Sequence, residues 1–278
     1  MTPSRTALRV AERRAAHQIL DAPLVLTDPL ALRIVGVTRP DDRARLAARE
    51  NGRLARTLRA FMAARSRIAE DEVARAVSQG AAQYVILGAG LDTFAYRNPF
   101  PGRLRVFEVD QVSTQSWKLE RLAEAGIKTG QDVAYVAVDF DVESPLDALG
   151  RAGWDPDLPT VFAWLGVTMY LEQDSVERML AAIGSQKLAT LVFDYAISPE
   201  LLGPIERLVF DEFAKRVAAA GEPWVSTFGP DELRQRLLSH GFTEVEDLGP
   251  EQLNATYFSN RPDGMRVGSL AHIIRAKT

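Results

Sequence analysis

The sequence predicts an α/β fold built on a mostly parallel sheet, and three observations carry that reading. Tyr84-Val85-Ile86-Leu87 is an unbroken apolar run that enters the turn Gly88-Ala89-Gly90 directly. About twenty residues after those glycines, Val106-Phe107-Glu108-Val109-Asp110 is a second apolar run with carboxylates at its C-terminal end. Between Gln83 and about Ser198 strand-like and helix-like runs then alternate, the pattern of βαβ units whose strands are buried on both faces.

The elements follow in chain order. Residues 1 to 80 read as helical. Arg5 to Leu20 is an amphipathic stretch closed by Asp21-Ala22-Pro23, Asp28-Pro29 opens a short helix through Ile34, and a polar helical region runs from Pro40 through Val77. Strands are expected near 83–87, 104–109, 133–138, 160–165 and 189–195, with helices between them, notably Gln111–Ala125 and Asp174–Ile183. Pro204–Ala220 reads as an amphipathic helix, with Ile205, Leu208, Val209, Phe213 and Val217 on one side. After the loop 221–228 comes a helix with Pro230 in its first turn and Gly241 just past its end. Two last strands, near 242–248 and 267–275, are expected to flank an irregular stretch containing Tyr257, Phe258 and Pro262. These boundaries suggest a helical cap over residues 1–80 and a core over 81–278, with 199–229 as a helical lid insertion in one compact domain.

Composition narrows the function. The chain has 278 residues, room for one large α/β domain, and a net charge of −4 with no long basic run, so nothing attracts nucleic acid. It contains no cysteine, which excludes disulfides, thiolate metal ligands and a cysteine nucleophile. No apolar run is long enough to cross a bilayer, and the first twenty residues lack the apolar core of a secretory leader. A cytoplasmic protein is expected, acting on a small molecule, with its oligomeric state open.

The glycine turn has several possible ligands. A dinucleotide site calls for a third glycine where this chain has Thr93, and no Gly-Lys-Ser/Thr follows to make a P-loop. Three strand ends remain: Gly88-x-Gly90, then Glu108 and Asp110, then Asp139-Phe140. S-adenosylmethionine needs such a set. The bare turn lets its amino-acid part approach, the carboxylates accept from ribose hydroxyls, and an Asp with an apolar neighbour suits adenine. Asp110 is the first candidate for ribose; Glu108 shares its strand face and Asp92 lies around the turn. Arg65 is a cation in an apolar row with Phe61, Ile68 and Val73, suited either to covering its helix with its stem or to pairing with a carboxylate.

Leu87-Gly88-Ala89-Gly90-Leu91-Asp92-Thr93-Phe94-Ala95-Tyr96-Arg97, Phe107-Glu108-Val109-Asp110 and Trp164-Leu165-Gly166-Val167-Thr168-Met169-Tyr170-Leu171 together resemble the leucine carboxyl methyltransferase family. More specifically they resemble its bacterial branch of S-adenosylmethionine-dependent O-methyltransferases. The likeness extends to segments 14–21, 61–67, 193–195 and 253–258, and so to nearly the whole chain. It implies a Rossmann-like class I methyltransferase: a seven-stranded, mostly parallel sheet with an antiparallel last strand and helical additions over the site. It also implies that Arg65 pairs with the methionyl carboxylate, that Leu165 and Gly166 border the cofactor, and that no metal is needed. Leu165 departs from the family, whose better-studied members carry Glu five residues before the motif's tyrosine, here Tyr170.

Methyl transfer needs an acceptor in line with the sulfonium methyl, and position counts for more than acid–base chemistry. A carboxylate is ionised already at neutral pH, whereas an alcohol or phenol calls for a base. The histidines are His17, His240 and His272: His240 suits a helix-end cap, His272 a strand-packing role, and His17 reaches the site only if the N-terminal helix folds over it. Tyr170 and His17 are the catalytic candidates. Tyr96, Tyr170, Phe210, Trp224, Tyr257 and Phe258 are candidates for a substrate wall. Asp139-x-Asp141 and Asp194 would permit Mg²⁺, but Asp139 is already assigned to adenine. The reading is a metal-free O-methyltransferase acting on a carboxylate of a small molecule. A hydroxyl or phenol acceptor, an NAD-dependent oxidoreductase and an idle cofactor-binding domain are the alternatives.

Overall fold

A computed structural model describes residues 5–139, 143–219 and 221–278. Four helices come first: α1 (Arg5–Leu20), α2 (Ala31–Ile34), α3 (Pro40–Glu50) and α4 (Arg53–Ser78). The alternating part follows as β1 (Gln83–Leu87), β2 (Arg105–Asp110), α5 (Val112–Glu124), β3 (Val133–Ala137), α6 (Pro145–Arg151), β4 (Thr160–Trp164), α7 (Gln173–Gly184) and β5 (Ala189–Ala196). Then come α8 (Pro204–Ala219), α9 (Pro230–Ser239), β6 (Glu244–Leu248), α10 (Pro250–Tyr257) and β7 (Ala271–Lys277).

One seven-stranded sheet holds the molecule together, in the order β3-β2-β1-β4-β5-β7-β6. All pairs among β1 to β5 are parallel, and β7 runs antiparallel to both β5 and β6. The order reverses between β1 and β4. Their carboxyl ends diverge there to leave the crevice in which open α/β sheets bind ligands.

Period-two alternation explains the two cores. Val85 and Leu87 of β1, Phe107 of β2, Phe162 and Trp164 of β4 and Phe193 of β5 point to one face, where Leu180 and Ile183 of α7 and Leu233 and Leu237 of α9 cover them. Tyr84, Ile86, Val106, Ala163 and Val192 point to the other, against Ala60, Ala64, Ile68 and Val73 of α4. Small residues on α4 let that helix lie close to the sheet, which carries Arg65 to the strand ends.

The N-terminal helices are tied by an ionic knot. Asp21 accepts from Arg59 Nε at 2.9 Å and Nη2 at 2.7 Å, and His17 Nδ1 lies 2.9 Å from the same carboxylate. The other ring nitrogen, Nε2, accepts from the backbone N–H groups of Val25 and Leu26. Both nitrogens of His17 are therefore engaged in holding the segment after α1, and the ring is 1% exposed. The structure gives His17 a structural place, not a catalytic one.

The strands and most helices fall where the sequence put them, with five differences. No α-helix separates β1 from β2, only a short 3₁₀ turn at Phe94–Tyr96. The polar run over 40–77 is two helices, because Gly52 is an extended N-cap that restarts the chain. The stretch after β6 is not wholly irregular: Pro250 opens α10, whose Leu253 is buried against α4. The last strand begins at Ala271 rather than near 267. The apolar row of α8 does not enter a packed core: Ile205 and Leu208 are 78% and 70% exposed, while Phe210 and Val217 are the buried residues.

Asp21→Ala strands the buried Arg59 guanidinium and frees His17. It is expected to cost about 3–5 kcal/mol in urea denaturation while leaving cofactor affinity of the folded fraction unchanged; a neutral effect on stability would contradict the knot's role.

Candidate functional site

The cleft at the switch point is built on glycine conformation. Gly88 has φ +69°, and a Cβ there would collide with Val167. The turn is then pinned from below: Gly88 and Ala89 donate their N–H groups to the Val109 carbonyl at 2.8 and 3.1 Å. Gly90 N–H donates to Asp110 Oδ2 at 2.6 Å, and Gln111 N–H to Oδ1 at 2.8 Å. Burial raises the Asp110 carboxyl pKa, and these two N–H groups partly offset that.

α1 closes the cleft from above. Arg14 donates to Asp92 Oδ2 and to Asp28 Oδ2, both at 2.7 Å, and to Thr93 Oγ1 at 3.0 Å. Burial opposes ionisation of Asp92, but Arg14, followed by Arg97 and Lys118, outweighs it and holds its pKa at about 2. Asp92 Oδ1 meanwhile accepts from Phe94 N–H at 2.7 Å, so the acidic residue of the turn is a structural hinge between cap and sheet.

Arg65 arrives from α4. Its Nη1 donates to Asp194 Oδ2 at 2.7 Å, and Asp194 Oδ1 accepts from Gly166 N–H at 2.5 Å. Both residues of the pair are buried. Gly166 has φ +71°, and a Cβ there would lie 2.7 Å from Arg65 Nη2, so only glycine admits the guanidinium beside the β4 strand end.

These elements enclose a cleft of about 380 Å³, within the range of small-ligand sites. Of the residues expected from the sequence, it is lined by Arg65, Gly88, Ala89, Gly90, Asp92, Asp110, Leu165, Gly166 and Tyr170. A second cavity of about 860 Å³ adjoins it, and Arg65, Gly166 and Tyr170, with Thr6 and Val10 of α1, line both. Tyr170 stands at the junction. Burial raises its pKa, so it is a neutral phenol that donates rather than a base.

Several expected residues lie elsewhere. Glu108 is 1% exposed and faces away from the cleft, its carboxylate 2.7 Å from Lys118 Nζ and accepting from Tyr96 Oη at 2.8 Å. Strand alternation is not violated, because Asp110 is drawn back onto the glycine turn while Glu108 is covered by α5. Tyr96 is committed to that buried network and lines neither cavity. Tyr257 and Phe258 pack with Leu253 against α4, and Phe210 packs on Trp224 behind the cavity wall. Asp139 is exposed beyond β3 and outside the cleft lining; Phe140 lies outside the described residues. Asp194, considered as a metal ligand, is taken up by Arg65 and Gly166.

The sequence reading missed Arg14, Thr6 and Val10 as parts of the site. Arg14 lies 78 residues from Asp92 along the chain, and no local pattern marks such a pair.

The leucine carboxyl methyltransferase family model matches residues 7–184. The chain belongs to the leucine carboxyl methyltransferase family. It is 30% identical over 98% of its length to the "Putative S-adenosyl-L-methionine-dependent methyltransferase YktD" of Bacillus subtilis, covering 97% of that protein. It is 34% identical over 79% of its length to a Mycolicibacterium smegmatis protein of the same description, covering 73% of it. Among solved structures, a "putative methyltransferase" from Thermobifida fusca aligns over all of this chain and 95% of its own, with a TM-score of 0.59 and 17% identity. A DUF574 family protein from Streptomyces avermitilis aligns over 89% of this chain and 95% of its own, with a TM-score of 0.55 and 18% identity. The fold is thus that of methyltransferases, and as a family member the chain is an S-adenosyl-L-methionine-dependent methyltransferase.

The cleft fits that cofactor on its own terms. The Gly88-Ala89-Gly90 backbone leaves room for the methionyl part, Asp110 offers acceptors for ribose, and Arg65 supplies a buried cation for a carboxylate.

Two outcomes follow from this geometry. Asp110→Ala is expected to raise the S-adenosyl-L-methionine Kd roughly tenfold or more, the scale of losing hydrogen bonds to a charged acceptor, without unfolding the protein; unchanged affinity by calorimetric titration would contradict the ribose role. The stability that Asp92 contributes, about 2 kcal/mol, is full above its unfolded pKa of 3.8 and is lost as the pH falls through about 2. Asp92→Asn should therefore flatten the acid limb of the stability profile measured by urea denaturation.

Proposed function

We propose that this methyltransferase transfers its methyl group to a carboxylate oxygen of a small molecule, without a metal. The observation that carries the reading is the shared wall: Arg65, Gly166 and Tyr170 face both the cofactor cleft and the larger cavity, so a methyl group held in the first reaches an acceptor held in the second. Bound S-adenosyl-L-methionine supplies a methyl on a sulfonium, and attack by a carboxylate oxygen forms the O–CH₃ bond as the C–S bond breaks, its electron pair leaving with sulfur.

The residues do the rest. Arg65 is fixed by Asp194 and cannot follow a mobile ligand, so the methionyl carboxylate it would hold sets where the methyl sits. Asp110 would hold the ribose and Gly88-Ala89-Gly90 the main chain of the amino-acid part. Leu165 leaves that strand end without the side-chain carboxylate found in the family's better-studied members, so hydrogen bonding there falls to backbone such as Gly166. Tyr170 stays protonated and can donate to an acceptor oxygen that is not attacking.

An ionised acid loses no proton on methylation, so the absence of a histidine from both linings is no obstacle. An alcohol or phenol would need a base; Tyr170, with its raised pKa, is not one, which leaves that task to carboxylates of the linings such as Glu222 and Glu50.

The test is transfer of labelled methyl from S-adenosyl-L-methionine to matched panels of carboxylic acids and phenols. Carboxylate transfer gives an ester that releases methanol under mild base. A base-stable labelled product, formed with the phenols and not the acids, would overturn the carboxylate reading.

A further inference from the structure

The larger cavity is more specific than a generic acceptor site. Its walls are mostly apolar, with Phe61 and Met62 from α4, Met169 from the turn after β4, and Val209, Phe213 and Trp224 from the α8 region, and charged residues of α1, α3 and α8 complete them. At about 860 Å³ it is near the upper end of the range for small-molecule pockets. Ile205, Val209, Phe213 and Val217 of the α8 apolar row line this space, and Ile205 is 78% exposed.

Within these walls stands a cation short of counter-charge. Arg13 and Arg9 lie one helical turn apart on the cavity side of α1. Arg13 is mostly buried, its one ion-pair partner among the described residues is Glu50 at 3.7 Å, and Glu50 is shared with Arg49. At that distance there is no hydrogen bond, and Arg13 Nε is a buried donor with no acceptor. Burial lowers the pKa of Arg13, Glu50 opposes that, and Arg9 and Arg65 push it down further. The buried indole N–H of Trp224 faces the Tyr170 hydroxyl. An unsatisfied guanidinium donor in a largely apolar cavity, next to the wall shared with the cofactor cleft, suits an anion carried on an apolar body.

We infer that the acceptor is an amphipathic monocarboxylic acid whose apolar tail fills the larger cavity and leaves past α8, and whose carboxylate is held by Arg13 beside Tyr170. The inference rests on the carboxylate reading for the reaction, yet it concerns binding and can be tested apart from turnover. Arg13 is outside the cofactor cleft, so its role is separable from cofactor binding.

The experiment titrates the full chain, saturated with S-adenosylhomocysteine, with straight-chain acids from butanoic to hexadecanoic and with the alcohols of equal length. Calorimetry gives the affinities, and the change in tryptophan fluorescence that is lost in Trp224→Phe reports occupancy of the cavity. Each added methylene should tighten binding roughly fourfold until the cavity is full, and each acid should bind at least tenfold tighter than its alcohol. Arg13→Gln should erase that preference for acids and leave S-adenosylhomocysteine affinity unchanged, while Arg13→Lys retains part of it. Affinity independent of chain length, equal binding of acid and alcohol, or a preference that survives Arg13→Gln would each overturn the inference. Long acids that bind in this way but accept no methyl would sink the reaction assignment and leave the binding assignment standing; acids methylated without regard to length would do the reverse.

Discussion

Two buried arginines hold the site together, and each spans a long stretch of chain. Arg14 reaches from α1 to Asp92 in the glycine turn, and Arg65 reaches from α4 to Asp194 on β5. A parallel sheet alone leaves a crevice open to water at its carboxyl ends. These pairs draw a helical layer across that crevice and convert it into a partly covered cleft that adjoins a second cavity. The cost of burying the charges is offset by hydrogen bonds on both partners: Asp92 also accepts from Phe94 N–H and Asp194 from Gly166 N–H. Removing either carboxylate would loosen the cap and the site together.

The division of labour between the two spaces follows from what lines them. The cofactor cleft is bounded by backbone and fixed charge: a bare glycine turn, Asp110 tied at both oxygens, and Arg65 pinned by Asp194. The larger cavity is bounded by side chains of α4 and α8 and by a cation without a full partner. A rigid polar cradle suits a cofactor that must present one atom in one place. An apolar chamber with few directional contacts suits an acceptor chosen by its size, its tail and a single charge.

Much of this was legible in sequence. The glycine turn, Asp110 and the alternation of strands and helices announce a nucleoside-binding parallel sheet, because turn and strand signals are local. Glu108 shows the limit. It satisfies the same two-residue alternation as Asp110, yet Lys118 on α5 captures it, and a helix packing over a strand is not written in the strand. His17 looked available for chemistry because a histidine's partners are unknown until the chain folds; Asp21, Val25 and Leu26 claim both its nitrogens. Tyr257 and Phe258 had the composition of a binding wall but end α10 and follow it, a helix whose start at Pro250 escaped the reading.

Sequence by itself determined the fold class and the residues of the glycine turn, since these depend on φ preferences, periodicity and charge within a few residues of one another, and the family resemblance carried the cofactor. Only tertiary structure decided that Arg14 locks the cap, that Arg65 leans on Asp194, and that the apolar row of α8 faces a cavity rather than a core. Those outcomes include two charge pairs that join positions 78 and 129 residues apart. Their energies come from desolvated charge pairs and buried apolar area, which exist only once distant segments exclude water between them.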